Sequence, residues 1–236
     1  MNRAPDPGVG DAALEKPVRI RVALPKGAAE VSGSWCRPTD AWAVVAVAHG
    51  AGAGCGHPFL VGLARALQSA GIATLRFNFP YAEAGRRMPG PAAHAIAAWA
   101  AIAEGAADRA GDLPFWALGK SYGGRMASMA AAEGVIDPAG LVYLGYPLHP
   151  PGDPAKARVE HLPAVRQPQL FVAGTNDPFV APHEQLEDAV ASCRDAKLRW
   201  VEGGGHSFEV RGRRRPPDEI GGDLAPIVAE WMRERG

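Results

Sequence analysis

Apolar residues along this chain recur with a period of two in some stretches and near 3.6 in others, and each change of period marks a new element. Val18, Ile20, Val22 and Leu24 alternate with polar neighbours, which predicts a half-buried strand, and residues 31–35 supply its partner after a turn at 25–28. Residues 42–48 (WAVVAVA) are apolar without a break, the pattern of a strand covered on both faces. Phe59, Leu60, Leu63, Ala64 and Leu67 then return at helical spacing up to Gly71, which is placed to act as the C′ glycine. Strand 72–77 follows, then helix 91–110, strand 113–118, helix 122–133 and strand 140–144. After a proline-dense loop over 146–154 come strand 169–173, helix 182–192, strand 197–201 and a last helix over 217–233. Strands alternating with helices predict a parallel sheet covered by helices on both faces.

No internal repeat or linker divides this pattern, so one domain is expected over residues 17–236, preceded by a mobile segment over 1–16 that is rich in Pro, Gly and Asp. Only 25 positions separate the strand ending at Leu144 from the one starting at Gln169, too few for an elaborate inserted lid. Composition agrees with a sizeable core: 47% of the 236 residues are hydrophobic and 21% are charged. With 25 basic against 25 acidic residues, no whole-protein field would recruit nucleic acid or an anionic membrane. The three cysteines, Cys36, Cys55 and Cys193, form no CxxC pair, which points away from a disulfide framework or a zinc site and toward a reducing compartment. The start of the chain lacks the basic and apolar regions of a signal peptide, and no apolar run reaches membrane-spanning length. The expectation is a cytoplasmic protein, monomer or homodimer, without metal or cofactor.

Candidate chemistry lies where predicted strands end. Strand 113–118 runs into Gly119-Lys120-Ser121-Tyr122-Gly123, a G-x-S-x-G turn followed by an alanine- and methionine-rich helix. Such a strand–turn–helix forces the serine into a strained conformation at the carboxyl edge of the sheet, and the helix start favours developing negative charge there. A serine hydroxyl needs a base, and the base needs an orienting carboxylate. Strand 169–173 leads into Gly174-Thr175-Asn176-Asp177-Pro178, and strand 197–201 leads into Gly203-Gly204-Gly205-His206. Ser121, Asp177 and His206 therefore follow three parallel strands in the order Ser, Asp, His, and they are the candidate catalytic residues.

Tetrahedral intermediates also need two N–H donors. One is the backbone N–H of Tyr122, next after the serine. The other is that of Ala51, in the loop His49-Gly50-Ala51-Gly52-Ala53-Gly54 that follows strand 42–48, with Gly52 as the fallback. A dinucleotide fingerprint fails in this loop because Cys55 stands where its third glycine belongs. Gly52, Tyr146 and His149 are candidate pocket residues at the same sheet edge. Structural roles are expected for His49 and Lys120, a small-hydrophobe role for Cys55, and a solvated loop for the arginines at 211 and 213–215.

At these residues the chain resembles the α/β-hydrolase superfamily from about Val18 to its C-terminus. HGAGAG, Leu75-Arg76-Phe77-Asn78-Phe79-Pro80, GKSYGGR, GYPLHPPG and GTNDPF together resemble a compact lidless branch related to dienelactone hydrolases. That branch includes a testis-expressed hydrolase-like protein and a scaffold subunit of a chromatin-acetylating complex. The resemblance implies a mostly parallel eight-stranded sheet with an antiparallel second strand and a Ser-Asp-His triad on Ser121, Asp177 and His206. Dienelactone hydrolases proper carry a cysteine nucleophile; serine stands at that position here, so their lactone substrate does not carry over. The expected activity is hydrolysis of small esters or thioesters through an acyl-enzyme, with short acyl chains favoured by a shallow, lidless pocket. The alternatives are a non-catalytic interaction module on the same fold, or a peptidase or acyltransferase using the same three residues.

Overall fold

The computed structural model describes residues 14–235, and residues 1–13 of the expected N-terminal segment lie outside the described residues. Glu15 and Lys16, placed in that segment by sequence, belong to the fold. Lys16 opens strand β1 (Lys16–Ala23), and the Glu15 carboxylate pairs with the buried Arg76 guanidinium at 2.5 Å. Strands β2 (Ala28–Cys36), β3 (Ala43–Ala48), β4 (Ile72–Phe77), β5 (Phe115–Lys120), β6 (Leu141–Leu144), β7 (Gln169–Gly174) and β8 (Ala196–Val201) complete one eight-stranded sheet. Its order is β1-β2-β4-β3-β5-β6-β7-β8, and only β2 runs against the rest.

Strand β3 shows why the sheet lies inside. Ala43, Val45 and Val47 enter one apolar cluster, and Val44, Ala46 and Ala48 enter the other, as alternation across a pleat requires. Helices α1 (Pro58–Ser69), α6 (Pro217–Asp223) and α7 (Ala225–Arg233) cover the first face. Helices α2 (Pro80–Glu83), α3 (Ala92–Ala110), α4 (Tyr122–Ala132) and α5 (His183–Ala191) cover the second. On α3 the buried stripe Ala95, Ala98, Trp99, Ile102, Ala106 is the helical spacing made physical.

The single C-terminal helix expected over 217–233 is two helices. They break at Leu224 because Pro226, at the start of α7, has no N–H for the preceding turn and its ring would strike that turn's carbonyl. The short helix α2 was not expected; Phe79-Pro80 starts it, and the Tyr81 ring seats it on the core. Helices α1 and α6 meet at glycines. A Cβ on Gly62 would lie 1.9 Å from the Asp218 carbonyl oxygen, and one on Gly221 would lie 2.0 Å from that of Phe59. This crossing brings α6 over the carboxyl edge of the sheet, where it walls the cavity described next.

Candidate active site

Parallel register brings the ends of β3, β5, β6, β7 and β8 to one edge, with Ala48 opposite Gly119, Lys120 opposite Leu144, and Gly174 opposite Val201. Ser121 occupies the β5–α4 turn with φ +49, a left-handed conformation rare for a side-chain-bearing residue. Close packing holds it there. A Cβ on Gly119 would fall 2.1 Å from the Gly124 nitrogen, and one on Gly123 would fall 2.7 Å from the His49 carbonyl oxygen. The Ser121 N–H donates to the Leu144 carbonyl at 2.9 Å, and its own carbonyl accepts the Arg125 N–H at 3.1 Å, so both flanks of the turn are tied.

His206 Nε2 lies 2.9 Å from Ser121 Oγ, and His206 Nδ1 lies 2.8 Å from Asp177 Oδ2. Asp177 is 1% exposed; its other carboxylate oxygen accepts the Phe179 N–H at 2.9 Å, which fixes the carboxylate plane. The Phe179 ring stacks on the imidazole with centroids 4.1 Å apart. Because the Asp177 carboxylate accepts at Nδ1, the neutral imidazole carries its proton there and leaves Nε2 free to accept from the serine. The sequence-predicted trio is thus one hydrogen-bonded chain.

Lys120 ties the histidine loop to the sheet. Its Nζ donates to the His206 carbonyl at 2.7 Å and lies 5.8 Å from the Phe208 ring centroid. Burial lowers its pKa to about 8, against the opposing pull of Asp177 and Glu209. Phe208, two residues past His206, has φ +66, so positive-φ side-chain residues lie at both ends of the Ser–His contact. Glu209 Oε2 accepts the Ser207 N–H at 3.0 Å.

A cavity of about 590 Å³ is lined by Ser121 and His206, within the usual size range for small-molecule pockets. Gly50 and Ala51 line it beside Ser121 and Tyr122, and a Cβ on Gly50 would lie 3.6 Å from that of Ser121. The Tyr122 N–H, at the first position of α4, has no acceptor within its helix. Of the candidate pocket residues, Gly52, Tyr146 and His149 do not line the cavity. Gly52 turns toward the Arg87 carbonyl, 3.9 Å from where its Cβ would be. Tyr146 and His149 are buried behind the wall, because both side chains turn back to satisfy loop backbone: Tyr146 Oη donates to the Arg158 carbonyl at 2.9 Å, and His149 Nδ1 lies 2.8 Å from that of Pro150. The wall consists instead of Phe59, Leu60, Phe179 and Ile220, with His57, Arg125, Arg158 and Arg215 as polar members. Arg125 was findable, since it stands one helical turn after the elbow serine.

The remaining expectations fall on structural residues. His49 is fully buried: Nε2 accepts the Phe79 N–H at 3.0 Å, so Nδ1, 2.8 Å from the Gly50 carbonyl, carries the proton. Burial raises the Cys55 thiol above its ordinary pKa and keeps it protonated. Arginines 211, 213 and 214 are exposed. Among the described residues, no three His, Cys, Asp or Glu side chains cluster as a metal ion would require, and no helix is long and apolar enough to cross a membrane.

A family model described as an alpha/beta hydrolase domain matches residues 41–221. The chain belongs to that alpha/beta hydrolase family. Solved structures agree on the fold of this alpha/beta hydrolase. A dienelactone hydrolase from Anabaena variabilis ATCC 29413 superposes with a TM-score of 0.72 at 22% identity, covering 94% of this chain and 98% of the other. A lidless α/β serine hydrolase from Xanthomonas campestris gives 0.66 at 20% identity, covering 92% and 95%. The esterase domain of a Rhodothermus marinus protein gives 0.67 at 16% identity, covering 94% and 98%.

Proposed function

We propose that this alpha/beta hydrolase cleaves small carboxylic esters or thioesters through an acyl-enzyme on Ser121. The observation that carries the reading is the hydrogen-bonded chain Ser121–His206–Asp177, at 2.9 and 2.8 Å, opening on a cavity sized for a small molecule. The Ser121 hydroxyl attacks the substrate carbonyl while His206 Nε2 accepts its proton, and Asp177 stabilises the imidazolium that forms. The developing oxyanion faces the N–H groups of Tyr122 and Ala51, in the positive field at the start of α4. His206 then returns its proton to the departing alkoxide or thiolate. A water molecule, deprotonated by the same nitrogen, attacks the acyl-enzyme and releases the acid and free Ser121.

A fluorophosphonate probe, which phosphonylates activated serines, tests this directly on wild type, Ser121→Ala and His206→Ala. Wild type alone should label, and Ser121→Ala should cost on the order of 10⁶ in kcat on a short acyl ester. An unlabelled wild type of correct fold would overturn the reading in favour of a non-catalytic interaction module.

A further inference from the structure

The cations around the cavity are not equivalent. Lys120 is committed to the His206 carbonyl, and Arg215 to the carboxylates of Glu219 and Asp223. Arg125 and Arg158 also line the cavity, and neither forms an ion pair among the described residues. The Nε of Arg125 is moreover buried and has no hydrogen-bond partner among the described residues. A guanidinium so placed has given up part of its hydration without gaining an acceptor, an arrangement folds seldom keep unless something else supplies the acceptor. Its neighbours bring no countercharge: Tyr122, Tyr146 and His161 feel its charge, and all three are neutral, with burial holding the phenols protonated and His161 deprotonated. Among the lining residues the single carboxylate is Glu209, which serves Ser207 and faces Lys120.

We propose that Arg125 and Arg158 form a recognition site for an oxyanionic group, carboxylate or phosphate, carried by the ester substrate and seated beside Ser121. The inference rests on the esterase reading above and narrows its substrate class from small esters to small anionic esters. Geometry supports both arginines. Arg125 lies four residues after Ser121 on α4, and helical side chains lean toward the N-terminus, so its guanidinium reaches back over the turn that holds the nucleophile. Arg158 projects from clamped backbone: its N–H donates to the Leu148 carbonyl at 2.8 Å, and its carbonyl accepts from Tyr146 Oη at 2.9 Å. Two planar guanidinium groups suit an oxyanion, because each can donate two parallel hydrogen bonds, and the partly apolar surroundings strengthen both.

The test compares p-nitrophenyl hemiglutarate with p-nitrophenyl valerate, a neutral ester of matched acyl length. Wild type should show a higher kcat/KM on the anionic ester. That preference should fall at least tenfold in Arg125→Gln and by a smaller factor in Arg158→Gln, with Arg125→Lys recovering part of it. Titration calorimetry with glutarate and with inorganic phosphate reads the same site without turnover and separates the two anion sources. Either ligand binding wild type and lost in Arg125→Gln supports the site. An unchanged anionic preference in both glutamine variants, with no binding of either anion, overturns it. Ser121→Ala keeps the two ideas apart: turnover surviving in that variant would defeat the proposed nucleophile, while the binding arm still decides the anion site.

Discussion

Two sides of one cavity are built by different means. The side that carries Ser121 is backbone: within six residues, Gly119, Gly123 and Gly124 pack around that serine so tightly that a methyl group added to any of the three glycines would collide with main-chain atoms. The opposite side is made of side chains from distant segments: His57 and Phe59 at the start of α1, Arg158 from the loop after β6, and Ile220 from α6. Backbone packing fixes a position to tenths of an ångström and tolerates little, whereas a wall of side chains changes shape and charge one residue at a time. Reaction type should therefore follow the first side and substrate choice the second.

The largest break in this comparison is Gly123→Ala. The new methyl would lie 2.7 Å from the His49 carbonyl oxygen and 2.8 Å from Ala48 Cβ, both buried at the carboxyl end of β3, so the turn itself must move. A displacement near 1 Å at the nucleophile costs about 10²-fold in rate, and overpacking costs about 1–3 kcal/mol in stability. Ester hydrolysis and thermal melting measure both. Ile220→Ala, on the other wall, should change kcat/KM less than tenfold. Equal losses in the two variants would erase the distinction.

An intermediate effect concerns pH and the polar layer behind the arginines. Ser128 Oγ donates its proton to the Arg125 carbonyl at 2.8 Å, so His161 Nε2, 2.7 Å from Ser128 Oγ, must be the donor to that hydroxyl oxygen. Burial first, and Arg125 second, lower the His161 pKa to about 4 from an ordinary 6.5. Between those values the unfolded chain takes up a proton that the folded one refuses. The stability associated with neutral His161 is thus fully present above pH 6.5 and is lost as pH falls toward 4. Melting temperatures recorded across that window should fall more steeply for wild type than for His161→Gln. Parallel curves would remove His161 as a cause.

Legibility in the sequence divides along the same line. Strand β4 is where its apolar run places it, and the boundaries of α3, α4 and α5 differ from the pattern by a residue or so, because period and flanking Gly or Pro are local signals. That Ser121, Asp177 and His206 meet at one sheet edge was readable because each follows a strand in a register that parallel pairing preserves. Tyr146 and His149 were assigned to the pocket because they share the right sheet edge, but which way a loop side chain faces depends on contacts such as Tyr146 Oη to Arg158, which no local pattern encodes. His57 and Ile220 meet across the cavity only because α1 and α6 touch at glycines far apart in sequence. The break at Leu224 was written in Pro226, but the strong apolar stripe of Val228, Ala229, Trp231 and Met232 masks it.

The smallest predicted effect is the most selective. Tyr146 is a positioning residue whose hydroxyl reaches no substrate but holds the carbonyl of Arg158, one of the two arginines assigned to the anion. Tyr146→Phe removes the hydrogen bond to the Arg158 carbonyl, worth about 1 kcal/mol, together with a longer 3.4 Å contact to His161 Nε2, and should lower the melting temperature by roughly 2–4 °C in a chain of this length. A purely structural hydroxyl would do no more than that. If it positions Arg158, the preference for the anionic over the neutral ester should also fall, by roughly threefold for an arginine displaced but still charged, about 0.6 kcal/mol. A melting shift with that ratio unmoved would leave Arg158 positioned by its own Leu148 contact and make the wall less interdependent than its hydrogen bonds imply.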